Sequence, residues 1–131
     1  MTNSDIRWKQ RFQNFEKALS RLREAIATEN PSDLEKAGVI QVYEFTFELG
    51  WKTVKYYLEV NEVVVKFPRE VIKEAFKYGL LDGEVWLDML QKRNLMSHTY
   101  DEETAELAYN LIVDTYFDAI DQVFQKLQQA L

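Results

Sequence analysis

Apolar residues recur at helical spacing along nearly the whole chain. Ile6, Phe12, Phe15, Leu19, Leu22 and Ile26 are mostly three or four positions apart and form one stripe over about six turns. The stripe predicts a first helix from near Asp5, closed by Glu29-Asn30-Pro31. Ser32-Asp33-Leu34-Glu35 then reads as a capping box, in which the serine accepts an early backbone N–H and the glutamate reaches back. The helix it opens, running to about Leu58, carries Val39, Val42, Tyr43, Phe45, Phe47, Leu49, Trp51 and Val54 on more than one face. Two-sided apolarity predicts burial in the core and against a second chain.

Asn61 to Lys66 has the β-branched run of a strand but nothing to pair with, so it is expected to be a connector. Phe67-Pro68-Arg69-Glu70 starts a short helix with proline in its first turn, stopping near Gly79. Asp82 caps another, with Val85, Trp86, Met89 and Leu90 inward. The last helix runs from about Glu103, with Ala108, Leu111, Ile112, Thr115, Tyr116, Ala119, Ile120, Val123, Phe124 and Leu127 as its inner stripe and Asp114, Asp118 and Asp121 outside. Together these elements predict an all-α fold: one domain over 1–131, an antiparallel up-and-down bundle of four to five helices.

Composition narrows the function. Of the 131 residues, 47% are hydrophobic and 14% aromatic, enough for a core without staples. There is no cysteine, hence neither a disulfide framework nor a thiolate zinc site. With no leader-like N-terminus and no long apolar run, a cytoplasmic protein without a membrane span is expected. The net charge of −6 argues against coating of nucleic acid. The charge is uneven, however. Lys52 to Arg93 carries 8 basic and 7 acidic residues, whereas the rest carries 8 and 15, so an anionic ligand would meet the middle of the chain.

The residues with chemistry to offer lie between the Asp82 helix and the last one, in Lys92-Arg93-Asn94-Leu95-Met96-Ser97-His98-Thr99-Tyr100-Asp101. His98 is the sole histidine, able to take and give protons near neutrality. Arg93 offers a forked donor for phosphate oxygens. On an ideal helix the two would stand about 140° apart, so they can share a ligand only where the helix ends or distorts between them. Asn94 and Ser97 favour such an ending, and Asp101 can cap the next helix. The same residues also fit a plain helix end, with Arg93 as dipole partner and His98 as a satisfied polar group. One histidine without cysteine is too small a set for a metal, and no cofactor is expected.

Arg93, His98 and Tyr100, as Arg-x4-His-x-Tyr headed by Arg93-Asn94, resemble the motif of HEPN domains. Three further stretches, Arg7 to Phe12, Gln41 to Lys52 and Pro68 to Phe76, make the chain similar to the nucleotidyltransferase substrate-binding branch of that family. The resemblance implies a helical, usually homodimeric bundle, partnered by a minimal nucleotidyltransferase in a toxin–antitoxin arrangement. It further implies metal-independent endoribonuclease chemistry at Arg93 and His98, with Asn94 orienting the histidine or phosphate. Tyr100 is the implied acceptor of adenylate groups from the partner.

Three functions are expected on these grounds. In the first, the chain cleaves RNA through Arg93, Asn94 and His98, and two facing motifs of a homodimer supply the second proton-transferring group. In the second, it is a non-catalytic subunit in which Lys92, Arg93, Lys52 and Lys55 hold a nucleotide or anionic substrate for its partner. The third is a structural dimerisation module. Glu44 and Glu48, at i,i+4, are read as partners for a nearby Lys or Arg. Trp51 and its aromatic neighbours are read as core and interface rather than a base-stacking platform.

Overall fold

The Thr2 hydroxyl accepts the Asp5 backbone N–H at 3.1 Å, and helix α1 (Asn3–Ile26) starts there, two residues ahead of the sequence expectation. It stops at Ala27, short of Asn30, whose φ of 49° lies in the left-handed region. These features belong to a computed structural model that describes residues 2–131. The capping box forms as expected, with Ser32 and Glu35 exchanging hydrogen bonds of 3.1 and 2.9 Å, and opens α2 (Asp33–Val60).

The β-branched 61–66 segment makes no strand. Val63 donates its N–H to the Leu58 carbonyl at 2.9 Å, and Val63 and Val65 pack half-buried on the core while Val64 faces out. Helix α3 (Pro68–Lys77) comes next with proline in its first turn, then Gly79 at φ 72°. Asp82 caps α4 (Gly83–Gln91), whose Trp86 and Met89 are buried as predicted. A five-residue helix, α5 (Arg93–Ser97), stands where only a link was expected. Asp101 accepts the Thr104 N–H at 2.8 Å and caps α6 (Glu102–Leu111), bearing out its expected role.

The last long helix is interrupted. One π-helical turn, Ile112–Tyr116, separates α6 from α7 (Phe117–Gln129). The wider turn changes which residues face inward: Ala108, Ile112 and Tyr116 are buried, but Thr115 is exposed. Asp121 is also drawn out of the expected solvated face, pairing with Arg23 at 2.7 Å.

Helix α2 runs through the middle of the bundle, packed by α1, α3, α5, α6 and α7. Much of its two-sided apolarity is met within the chain, while Val42, Phe45 and Leu49 stay only partly buried. Val39, Ile40, Tyr43, Phe47, Trp51, Val54 and Leu58 are all consumed by the chain's own core. Gly50 is the close-approach point, because a Cβ there would meet Phe15 and Trp86 at 3.2 Å each. No helix among the described residues is long and apolar enough to cross a membrane.

Candidate functional site

Arg93 opens α5 and turns back toward α2. Its guanidinium donates to Glu48 Oε1 at 2.5 Å and lies 5.9 Å over the Phe47 ring. The other oxygen of that carboxylate accepts the Trp51 indole N–H at 2.8 Å. Glu48 is thus an arginine's partner, as expected, and also ties α5 to the middle of α2, whereas Glu44 makes no ion pair among the described residues. Both members of the ion pair are partly exposed, so its value lies in orienting Arg93 more than in stability.

A cavity of about 260 Å³ opens at this junction, lined by Tyr43, Glu44, Phe47, Glu48, Met89, Arg93, Met96 and Ser97. Burial raises the Glu44 carboxyl above its ordinary value, and the Ser97 hydroxyl partly offsets this. Ser97 also donates to the Arg93 carbonyl at 3.1 Å, and its one proton serves one acceptor at a time. The Tyr43 hydroxyl is fully buried with no hydrogen-bond partner among the described residues, and burial pushes its pKa well up. Tyr43, Phe47, Trp86 and Tyr116 form a continuous series of stacked rings beneath the cavity. They are core, in keeping with the expectation that these aromatics are no base-stacking platform.

Helix α5 ends between the two motif residues, as a shared ligand requires. Ser97 is its last residue, and His98 caps it at φ −124°, ψ 48°, donating its backbone N–H to Leu95 at 3.2 Å. The imidazole is exposed and meets the Tyr100 ring edge-on at 6.3 Å. No hydrogen bond joins His98 to Arg93 among the described residues, and His98 does not line the cavity. Asn94 is likewise exposed on α5. Tyr100, 89% exposed, borders a separate depression with Leu34, Lys36 and Glu106.

The remaining candidates divide. Lys92 is held by Asp88 at 2.5 Å, one turn back on α4. Asp88 also accepts the Tyr116 hydroxyl at 2.5 Å. Burial alone would raise the Asp88 carboxyl, but the bonds from Lys92 and Tyr116 outweigh it and hold it below the usual range. Lys52 and Lys55 do not line the cavity but follow Glu48 along α2, over the rings of Trp51 and Tyr56 at 5.8 and 5.6 Å. Sequence reasoning placed Tyr116 in the inner stripe but missed its bond to Asp88, which depends on the π-helical segment. Asp88 itself could have been found from its i,i+4 spacing to Lys92.

Residues 10–129 match the model of a family described as nucleotidyltransferase substrate binding protein like. A Haemophilus influenzae protein named probable ribonuclease HepT is 32% identical over 101 residues, covering 70% of this chain and 69% of that protein. A crystal structure from Thermus thermophilus superposes with a TM-score of 0.79 at 36% identity, covering 87% of this chain and 98% of the other. Another H. influenzae structure is described as revealing the fold of a substrate binding domain of a nucleotidyltransferase. It gives a TM-score of 0.69 at 26% identity, over 97% and 100% of the two chains.

Proposed function

The chain belongs to the nucleotidyltransferase substrate-binding protein family, and we propose that it is the helical partner of a minimal nucleotidyltransferase and a metal-independent endoribonuclease. The observation that carries this is the contrast within one motif. Arg93 is fixed at a cavity mouth by Glu48 and Phe47, while His98, released by the end of α5, keeps an exposed imidazole. A fixed cation suits charge that develops on phosphorus, and a free imidazole suits proton transfer. The name of the H. influenzae relative, probable ribonuclease, agrees with this chemistry.

In the reaction, His98 takes the proton of a ribose 2′-OH, whose oxygen attacks the adjacent phosphorus. The bond from phosphorus to the 5′-oxygen breaks, leaving a 2′,3′-cyclic phosphate. The 5′-oxygen receives its proton from a second imidazole, supplied by another copy of the chain. Arg93 carries the extra charge on the phosphoryl oxygens, and Asn94 orients the phosphate. In toxin–antitoxin terms, the partner silences the enzyme by adenylylating Tyr100, whose ring stands beside His98 and is open to a second protein.

The purified protein should cleave RNA in EDTA, and His98→Ala should not. Equal residual cleavage by both proteins would refute the enzyme. Sedimentation at micromolar concentration should give a dimer. The second reading, a non-catalytic subunit presenting a nucleotide to its partner, is favoured by the net charge of −6 and the open cavity beside Arg93. Nucleotide binding by calorimetry without cleavage would establish it.

A further inference from the structure

Away from the motif, cations gather around one aromatic ring. Arg7 and Arg11 from α1 and Lys55 from α2 place their charges 5.5, 5.3 and 5.6 Å from the centre of the Tyr56 ring. Antiparallel packing brings them together, and the Thr53 hydroxyl bonds the Arg11 carbonyl across the two helices at 3.3 Å. The ion pair in the group is Arg7 with Glu59 at 3.6 Å. Arg11, Lys52 and Lys55 make none among the described residues, although acidic side chains outnumber basic ones by 22 to 16 in the whole chain. Like charges held around one ring repel, and a single ion pair, Arg7 with Glu59, offsets them within the group. Such a cluster fits an anion from outside the chain.

The cluster is continuous with the Arg93 site. Glu48, Lys52, Lys55 and Glu59 repeat at steps of four, three and four along α2, so they share one helical stripe. Lys52 lies over Trp51, Trp51 bonds Glu48, and Glu48 bonds Arg93. From Glu48 to Lys55 the helix rises about 10 Å. A stacked strand carries one phosphate per about 3.4 Å of axis, so this length matches about three phosphates.

We propose that Arg11, Lys52, Lys55 and the Tyr56 ring that braces them form a track for the backbone of single-stranded RNA, leading away from the Arg93 cavity. The track rests on the ribonuclease reading for its direction, but its binding can be measured without cleavage. Tyr56 is half-buried under the cations, so the track reads charge and not base identity.

The test uses a fluorescent oligoribonucleotide with every 2′-oxygen methylated, which cannot be cleaved by its own 2′-OH, and follows anisotropy from 50 to 200 mM salt. Removing two phosphate contacts in Arg11→Gln/Lys55→Gln should make the log–log salt slope shallower by about 1.4. Over that window wild type then loses about sevenfold more affinity than the variant. Arg11→Lys/Lys55→Arg should restore the slope, which separates charge from folding. An unchanged slope in the Gln variant overturns the track, as does loss of partner binding with RNA binding intact, which would mark an acidic protein surface as the occupant. If wild type binds with the steep slope yet cleaves nothing, the track stands and the ribonuclease reading falls.

Discussion

Replacing Tyr43 by phenylalanine should make the protein more stable. The tyrosine ring is 2% exposed, stacked 6.3 Å from Phe47 and 5.7 Å from Tyr116, and phenylalanine preserves both contacts. The substitution removes only the hydroxyl, which is buried without a partner among the described residues. An unsatisfied buried polar group costs about 1–3 kcal/mol, so removing it should yield about 1 kcal/mol after a small loss of packing. At about 2.1 cal/mol/K per residue, the midpoint should rise by about 3–4 °C. Burial, with Tyr116 and the nearby carboxylates adding to it, keeps the hydroxyl protonated beyond its normal range, so the gain should be the same at pH 6 and pH 8. Urea unfolding followed by far-UV circular dichroism reads it as a shifted midpoint at constant slope. A loss of about 0.5 kcal/mol or more would refute the reasoning, because it would mean that the oxygen bonds a buried water.

Three other substitutions probe the frame. Gly50→Ala should destabilise by about 1–2 kcal/mol in the same assay, despite alanine's better helix propensity, because Phe15 and Trp86 are both fully buried and neither can yield to the new Cβ. Asp88 is depressed in the fold, so its contribution to stability is complete above the unfolded value of about 3.9 and fades as pH falls through the lower folded one. Tyr116→Phe removes one cause of that depression, so it should lower stability at pH 7 and narrow its gap to wild type at pH 3. Glu48→Gln should cost less than about 1 kcal/mol of stability, its ion pair being partly exposed, yet reduce EDTA-resistant cleavage about tenfold or more by releasing Arg93.

Which parts of this structure were legible in the sequence depends on how far apart the interacting residues lie. Ser32 with Glu35, Asp82 and Asp101 act within one turn, so their caps read directly from residue type and spacing. The strand propensity of Val63 to Val65 was overruled because no second strand exists among the described residues to accept it. Two-sided apolarity of α2 was visible, but not whether its own chain or another would cover it. The motif itself, and the need for a helix end between Arg93 and His98, could be read from spacing. The grip of Glu48 on Arg93 spans 45 positions, and that of Asp88 on Tyr116 spans 28, the latter made possible by a π-helical turn that no local pattern announces. The grouping of Arg7 and Arg11 with Tyr56 depends on how α1 and α2 are rotated against each other, which only the folded structure fixes.

The shared carboxylate of Glu48 makes the site report on itself optically. One oxygen holds the Arg93 guanidinium and the other holds the Trp51 indole N–H, so an anion that draws Arg93 away changes the charge facing a tryptophan. Trp8 and Trp86 are more deeply buried, and neither indole bonds that carboxylate. Occupancy of the cavity therefore becomes a change in tryptophan emission, with the lysine above Trp51 providing the same signal from the neighbouring strip of positive charge.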